Sequence, residues 1–254
     1  MPEARVRMDP LNPGQFFACC GLFELLAPDA DAVASFDFDA QHPRHASFVV
    51  QGKFDSLCTV IEQLSKAKPR FEGTEPATRI VELSHAERPL TLDWWLDEFR
   101  EKTTPLKCWA GQVTTENLVC ELLSLLAEQN ANEHLFDVPA MTKAKFGVDP
   151  RSAWNALDFG FSPNEHGRDS AVFPAVDILA AIGLQTFRPD TSRREKVRYS
   201  LWTDPLPVCV ARLAFRNPWD GLPARSYEFG IRSRGQSYKY FTFGKDSPKE
   251  GENE

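Results

Sequence analysis

The chain has 254 residues, 42% of them apolar and 26% charged, which excludes a disordered tail protein and a collagen-like repeat. At this length roughly 70 to 75% of the unfolded surface can be buried, enough for a sizeable core without disulfide staples. The net charge of −7 is uneven, with −9 on residues 1–150, +5 on 151–245 and −3 on 246–254. Screening over about 8 Å at physiological salt lets a basic patch coexist with a distant acidic region, so acidity leaves nucleic acid open as a partner. It argues against a protein that coats DNA alone by long-range attraction.

In chain order, Asn12-Pro13-Gly14-Gln15 reads as a helix start: Asn12 caps, Pro13 fits the first turn and Gln15 can reach back. The helix that follows is apolar all round, through Phe16, Phe17, Leu22, Phe23 and Leu26, and belongs inside the core; Pro28 and Asp29 end it. Residues 35–40 and 46–51 read as strands. Ser56 caps a second helix with Leu57, Val60, Ile61 and Leu64 on one stripe. Residues 79–84 read as a strand, whereas 92–100 fits helix and strand equally. Thr115 is the expected cap of a long helix to about Gln129, and Asp149-Pro150 opens a short one. Phe173-Pro174 opens another that closes at Gly183.

After Pro189 the period changes from helix to strand. Residues 197–202, 208–215, 227–231 and 237–243 are read as antiparallel sheet, the last two joined through Ser233-Arg234-Gly235-Gln236, where Gly235 can supply a positive φ. The expected fold is α+β: a mixed N-terminal lobe with buried helices (about 1–150) and a C-terminal antiparallel sheet (151–245) in one domain, 1–245, with a disordered tail at 246–254. Ala18-x-x-Gly21-Leu22 and Ala180-x-x-Gly183-Leu184 echo each other. Five positions are too few to establish a duplication, and close packing of buried helices accounts for the small residues.

Catalytic patterns are sparse. Among five histidines only His42-x-x-His45 is a tight pair, around Pro43 in an apparent loop; no carboxylate or cysteine is read at metal-ligand spacing beside it, so these are taken as solvated loop histidines and no metal or cofactor is expected. Six cysteines without a C-x-x-C pair, most in apolar runs, read as buried free thiols in a reducing compartment. Cys19-Cys20 is read as inert packing. Phosphate-loop, dinucleotide and G-x-S-x-G patterns are absent. The polar cluster Glu165-His166-Gly167-Arg168-Asp169 is read as a surface loop. The N-terminus lacks a signal-peptide layout and no apolar stretch is long enough to span a bilayer, so a cytoplasmic protein without membrane contact is expected.

The positive features lie late in the chain. Between Arg188 and Lys245 there are 12 Lys/Arg against 5 acids. Alternation places Lys196 and Arg198 on a face with Trp202, and Lys239 on a face with Phe241 and Phe243, so phosphate contact beside base stacking is expected. Arg193, Arg194, Lys196, Arg198, Arg232, Arg234 and Lys239 are the candidate phosphate ligands, with Tyr238 to stack or hydrogen-bond. Lys143, Lys145 and Arg151 surround a short helix N-terminus, a second candidate anion site. Gln112 and Asn117 are candidate base readers, because an amide can make paired hydrogen bonds with adenine.

Met8-Asp9-Pro10-Leu11-Asn12-Pro13-Gly14-Gln15-Phe16-Phe17-Ala18-Cys19-Cys20-Gly21-Leu22 resembles the N-terminal signature of the large-subunit-like protein of subtype I-U (I-G) CRISPR effector complexes. The resemblance continues through Leu106-Lys107-Cys108-Trp109-Ala110-Gly111-Gln112 and Gly147-Val148-Asp149-Pro150-Arg151-Ser152-Ala153-Trp154. It also takes in Leu184-Gln185-Thr186-Phe187-Arg188-Pro189 and Arg234-Gly235-Gln236-Ser237-Tyr238-Lys239. It implies a non-catalytic subunit of a Cascade-type surveillance complex in antiviral defence. Such a subunit contacts guide RNA and target DNA, aids recognition of the protospacer-adjacent motif and presents the duplex to a helicase-nuclease, beside backbone and guide-processing subunits. Guide pairing supplies most sequence specificity. The chain is short for a large subunit, so some of that work is expected of another chain. An RNA-processing nuclease and a protein-only scaffold are the alternatives.

Overall fold

The computed structural model describes residues 3–26, 32–54, 56–85, 88–153, 170–234 and 238–247. The first half contains β1 (Glu3–Met8), α1 (Pro13–Leu26), β2 (Val33–Phe38), β3 (Ala46–Gln51), α2 (Leu57–Ser65), β4 (Arg70–Glu72), β5 (Ile80–His85), β6 (Arg88–Leu92), α3 (Thr115–Ala127) and β7 (Ala140–Thr142). The second contains β8 (Ser170–Val172), α4 (Pro174–Thr186), β9 (Val197–Trp202), β10 (Leu206–Pro207), α5 (Val208–Ala214), β11 (Ala224–Phe229), β12 (Ile231–Arg234), β13 (Tyr238–Phe241) and β14 (Lys245–Asp246). The fold is α+β and its strand pairs are antiparallel, in sheets ordered β1-β3-β2-β10, β14-β11-β9, β4-β5-β6, β7-β8 and β12-β13.

The centre of the molecule is α1 packed on α4. Both are buried over almost their whole length, as a helix with no polar face must be. Their crossing explains the sequence echo: a Cβ on Gly21 would overlap the Leu179 carbonyl oxygen, and one on Gly183 would overlap that of Phe17. Glu24 lies beside the crossing and accepts hydrogen bonds from Thr186 and, through both carboxylate oxygens, from Arg212 of α5. β10 from the second half completes the first sheet, and one apolar cluster includes residues from Ala4 to Phe241.

The structure corrects several expectations. Residues 208–215 are helix rather than strand: Ala211, Ala214 and Phe215 bury one helical face, a spacing masked by the valines around it. Residues 92–100 are neither helix nor strand beyond the end of β6; Trp94 and Trp95 are both fully buried, which no one-sided element allows, and they join Trp109 and Phe146 in a ring cluster with centroids 5.3–6.4 Å apart. Thr114, not Thr115, caps α3 through its hydroxyl and the Asn117 amide. Gly183 lies inside α4 rather than ending it. Gln15 accepts from the Asp9 amide, not from its own cap residue. The expected tail begins too early, since β14 pairs with β11 and Ser247 is buried, bonded to Glu228. Half of the cysteines, Cys58, Cys120 and Cys209, are exposed.

Candidate nucleic-acid interface

The two-stranded ribbon β12–β13 is held from both sides. Along β13, Lys239 N–H donates to the Cys108 carbonyl at 2.9 Å and Phe241 N–H to that of Gly147 at 3.1 Å. Gly147 is required there: its φ is +81°, and a Cβ would meet Cys108 at 2.9 Å and the Lys239 carbonyl at 3.2 Å. On the β12 side Ile231 N–H donates to the Arg194 carbonyl at 2.7 Å, fastening the 190–196 loop to the ribbon. The register pairs Ile231 with Phe241, Arg232 with Tyr240, Ser233 with Lys239 and Arg234 with Tyr238. Directly opposed residues share a face, so Arg232 and Tyr240 lie on the face away from buried Ile231 and Phe241.

The loop is shaped by Asp190, whose carboxylate accepts from the Ser192 amide at 2.8 Å and its hydroxyl at 3.1 Å. Those bonds, with smaller help from Arg216 and Arg193, hold its pKa below the ordinary carboxylate value. Arg193, Arg194 and Lys196 are exposed, as is Arg232 across the Ile231–Arg194 bond. Among the described residues, the side chains of Arg194, Lys196 and Arg232 form no hydrogen bond or ion pair. The Ile231–Arg194 bond thus sets the loop that carries Arg193, Arg194 and Lys196 against the strand that carries Arg232, and the same loop carries exposed Asp190 and Glu195. The side chain of Arg234 lies outside the described residues.

The predicted stacking partners on β9 are not available. Lys196 precedes the strand, and Trp202 is buried with its indole N–H donating to the Ala34 carbonyl at 2.7 Å. Arg198 is half-buried, 3.8 Å from Glu228 and 3.0 Å from the Ser247 hydroxyl, so it braces β9, β11 and the chain end. Phe241 is buried, and Phe243 carries the Arg44 guanidinium 5.4 Å above its ring. Tyr238 and Tyr240 on β13 are half-buried, and the register sets Tyr240 opposite Arg232.

The second anion site is also corrected. Lys143 is exposed, but Lys145 is buried, donating to the Ser152 carbonyl at 2.7 Å with its ammonium 5.7 Å from the Tyr238 ring centroid. Arg151 holds Asp149 through several bonds, reaches Asp137 at 3.2 Å and lies 3.4 Å over the Phe173 ring. The short turn at Pro150–Ser152 already has its anion, since the Asp149 carboxylate accepts from the Arg151 amide at 2.9 Å. Behind it, buried Asp177 accepts from the Phe146 amide at 2.8 Å, with the Gly147 amide also acting on its carboxylate. Burial, reinforced by Asp149, pushes its pKa up to about 7.

Gln112 and Asn117 are both exposed, Gln112 four residues beyond the Cys108 carbonyl that anchors β13 and Asn117 in the first turn of α3. Cys19 and Cys20 are fully buried with pKa values pushed far up by burial, and the Cys108 thiol is pushed to about 12 for the same reason, so these thiols pack rather than react. The polar cluster at 165–169 lies outside the described residues. The expectation that the His42-x-x-His45 pair has no carboxylate at ligand spacing is corrected. Asp39 joins His42 and His45 at the β2–β3 turn, and the spacing Asp39-x-x-His42-x-x-His45 is the signal that could have found it.

No family model, no curated protein and no solved structure matches the chain. Among the described residues, no helix is long and apolar enough to cross a membrane.

Proposed function

We propose that this chain is a non-catalytic, cytoplasmic subunit of a type I CRISPR RNA-guided surveillance complex, in which the 190–196 loop and the β12–β13 ribbon take phosphates of guide RNA and target DNA. The observation that carries the reading is the Ile231–Arg194 backbone bond, which sets the loop with exposed Arg193, Arg194 and Lys196 beside exposed Arg232, four cations against Asp190 and Glu195. Exposed cations without an ion pair among the described residues are suited to displacing phosphate counterions. The resemblance supports the same reading, and its sequence blocks meet at the root of the ribbon. Asn12 donates to Asp149 at 2.9 Å, Gly14 packs on the Val148 carbonyl, and Lys239 bonds Cys108. In this role guide pairing carries specificity, a separate helicase-nuclease cuts, and the acidic first half is free to meet basic protein neighbours.

The triple variant Arg194→Ala, Lys196→Ala, Arg232→Ala, assembled with its partner subunits, is expected to bind target duplex more weakly whatever its sequence. The slope of log affinity against log salt should fall by roughly 0.9 for each duplex phosphate that the variant no longer neutralises. Filter binding across a salt series checks this. Unchanged affinity and slope, with no crosslinks from the native complex to RNA or DNA, would leave a protein-only scaffold as the better account.

A further inference from the structure

We infer that the turn between β2 and β3 is a binding site for a divalent transition cation of the zinc class, held by Asp39, His42 and His45. One ligand-capable atom from each of the three lies within 4.8 Å of the other two, and all three residues are exposed. Tetrahedral bonds of about 2.0 to 2.2 Å set ligand atoms roughly 3.4 Å apart, so small side-chain rotations close the set. Asp39 Oδ2 is already 3.0 Å from His42 Nδ1, and the two imidazole rings stack with centroids 5.3 Å apart.

The backbone holds this arrangement. Asp39 N–H donates to the His45 carbonyl at 3.0 Å and His45 N–H to that of His42 at 2.8 Å, folding the turn so that its first and last ligands face each other. Asp39 Oδ1 accepts from the Gln41 amide at 2.7 Å and the His42 amide at 3.2 Å, leaving Oδ2 as the ligating oxygen. Such outer bonds orient a metal-binding carboxylate. Arg44, the cation inside the motif, is engaged by Asp9 and covers Phe243. Two imidazoles with one carboxylate favour zinc over magnesium or calcium, which seek oxygen ligands. Three protein ligands leave a fourth position for water or a donor from another chain. Asp39 and His45 also line an open cleft of about 340 Å³ with Arg7 and Asp37, which gives that position access to solvent. The site is independent of the nucleic-acid reading.

The test is titration of the full chain with Zn²⁺ against a chromogenic chelator, with Co²⁺ absorption spectra in parallel. Exposed Cys58, Cys120 and Cys209 are the competing ligands, so thiol-alkylated protein is titrated as well. One equivalent is expected to bind with or without alkylation and to persist in excess Mg²⁺. The Co²⁺ complex should show visible bands without thiolate charge transfer. His42→Ala and His45→Ala, both surface changes, should each weaken binding by at least about tenfold, and Asp39→Asn should weaken it too. Uptake that is lost on alkylation, that is the same in the histidine variants, or that fails to compete with the chelator would overturn the proposal.

Discussion

Gly183→Ala is expected to be among the costliest single-methyl additions at the described positions of this protein, matched by Gly21→Ala across the same crossing. At the α1–α4 crossing the added Cβ would occupy the position of the Phe17 carbonyl oxygen, and Gly21 meets the Leu179 carbonyl in the same way from the other helix. Overpacking a core usually costs about 1 to 3 kcal/mol because side chains find other rotamers. A backbone carbonyl inside a helix has no such escape, so the two helices must separate. Separation then opens gaps along faces that are buried from Phe16 to Leu26 and from Ala175 to Leu184. A loss above about 3 kcal/mol is expected, a large share of the roughly 5 to 15 kcal/mol typical of a folded domain. Gly111→Ala is the control, since a Cβ there meets nothing within 4 Å, and it should change stability by less than about 0.5 kcal/mol. Urea unfolding of the purified chains checks both. A Gly183→Ala midpoint equal to the parent's would mean that the helices do not cross here.

The same crossing shows which parts of the fold could be read from sequence. Local signals served well where one residue type fixes one geometry: Asn12 accepts from the Gln15 amide at 3.2 Å, Ser56 caps α2, and Pro174 starts α4. They failed where the deciding interaction is remote. The α5 segment reads as strand by its valines, yet it is helical because Ala211 and Ala214 pack inward and Arg212 reaches Glu24, 188 residues away. Trp94 and Trp95 have no periodicity to detect, since Thr78 and Gln185 receive their loop.

The candidate interface divides along the same line. The late excess of basic residues picked out Arg193, Arg194, Lys196 and Arg232, which are exposed, together with Arg198, and the helix-start reading picked out Lys145 and Arg151; sequence could not show that Glu228, Ser152 and Asp137 engage these last three internally. An arginine beside an aspartate, as at Asp149-x-Arg151, is a warning of self-neutralisation that sequence does carry. The aspartate of Asp39-x-x-His42-x-x-His45 was equally visible, but only the turn's backbone bonds bring it back to His45.

Asp177→Asn is expected to stabilise the protein above neutral pH and to leave it nearly unchanged only below about pH 4. Asp177 is fully buried between α4 and the 145–149 segment; burial first, then Asp149, raises its pKa to about 7, against the opposing pull of the Phe146 amide, Lys145 and the Gly147 amide. An unfolded aspartate loses its proton near pH 4. Between about pH 4 and 7 the folded chain therefore keeps a proton that the unfolded chain has released, and stability falls as pH rises through that window. A shift from 3.8 to about 7 corresponds to a loss on the order of 4 kcal/mol by pH 8. Asparagine keeps an oxygen for the Phe146 amide and removes the ionisation, whereas alanine would leave that amide buried and unpaired. Unfolding free energies at pH 5, 6, 7 and 8 for parent and variant isolate the effect from exposed carboxylates such as Asp190, which titrate alike in both. The two curves should diverge as pH rises, with Asp177→Asn the more stable; parallel curves would mean that Asp177 is already ionised in the folded protein and that Lys145, rather than burial, governs its charge.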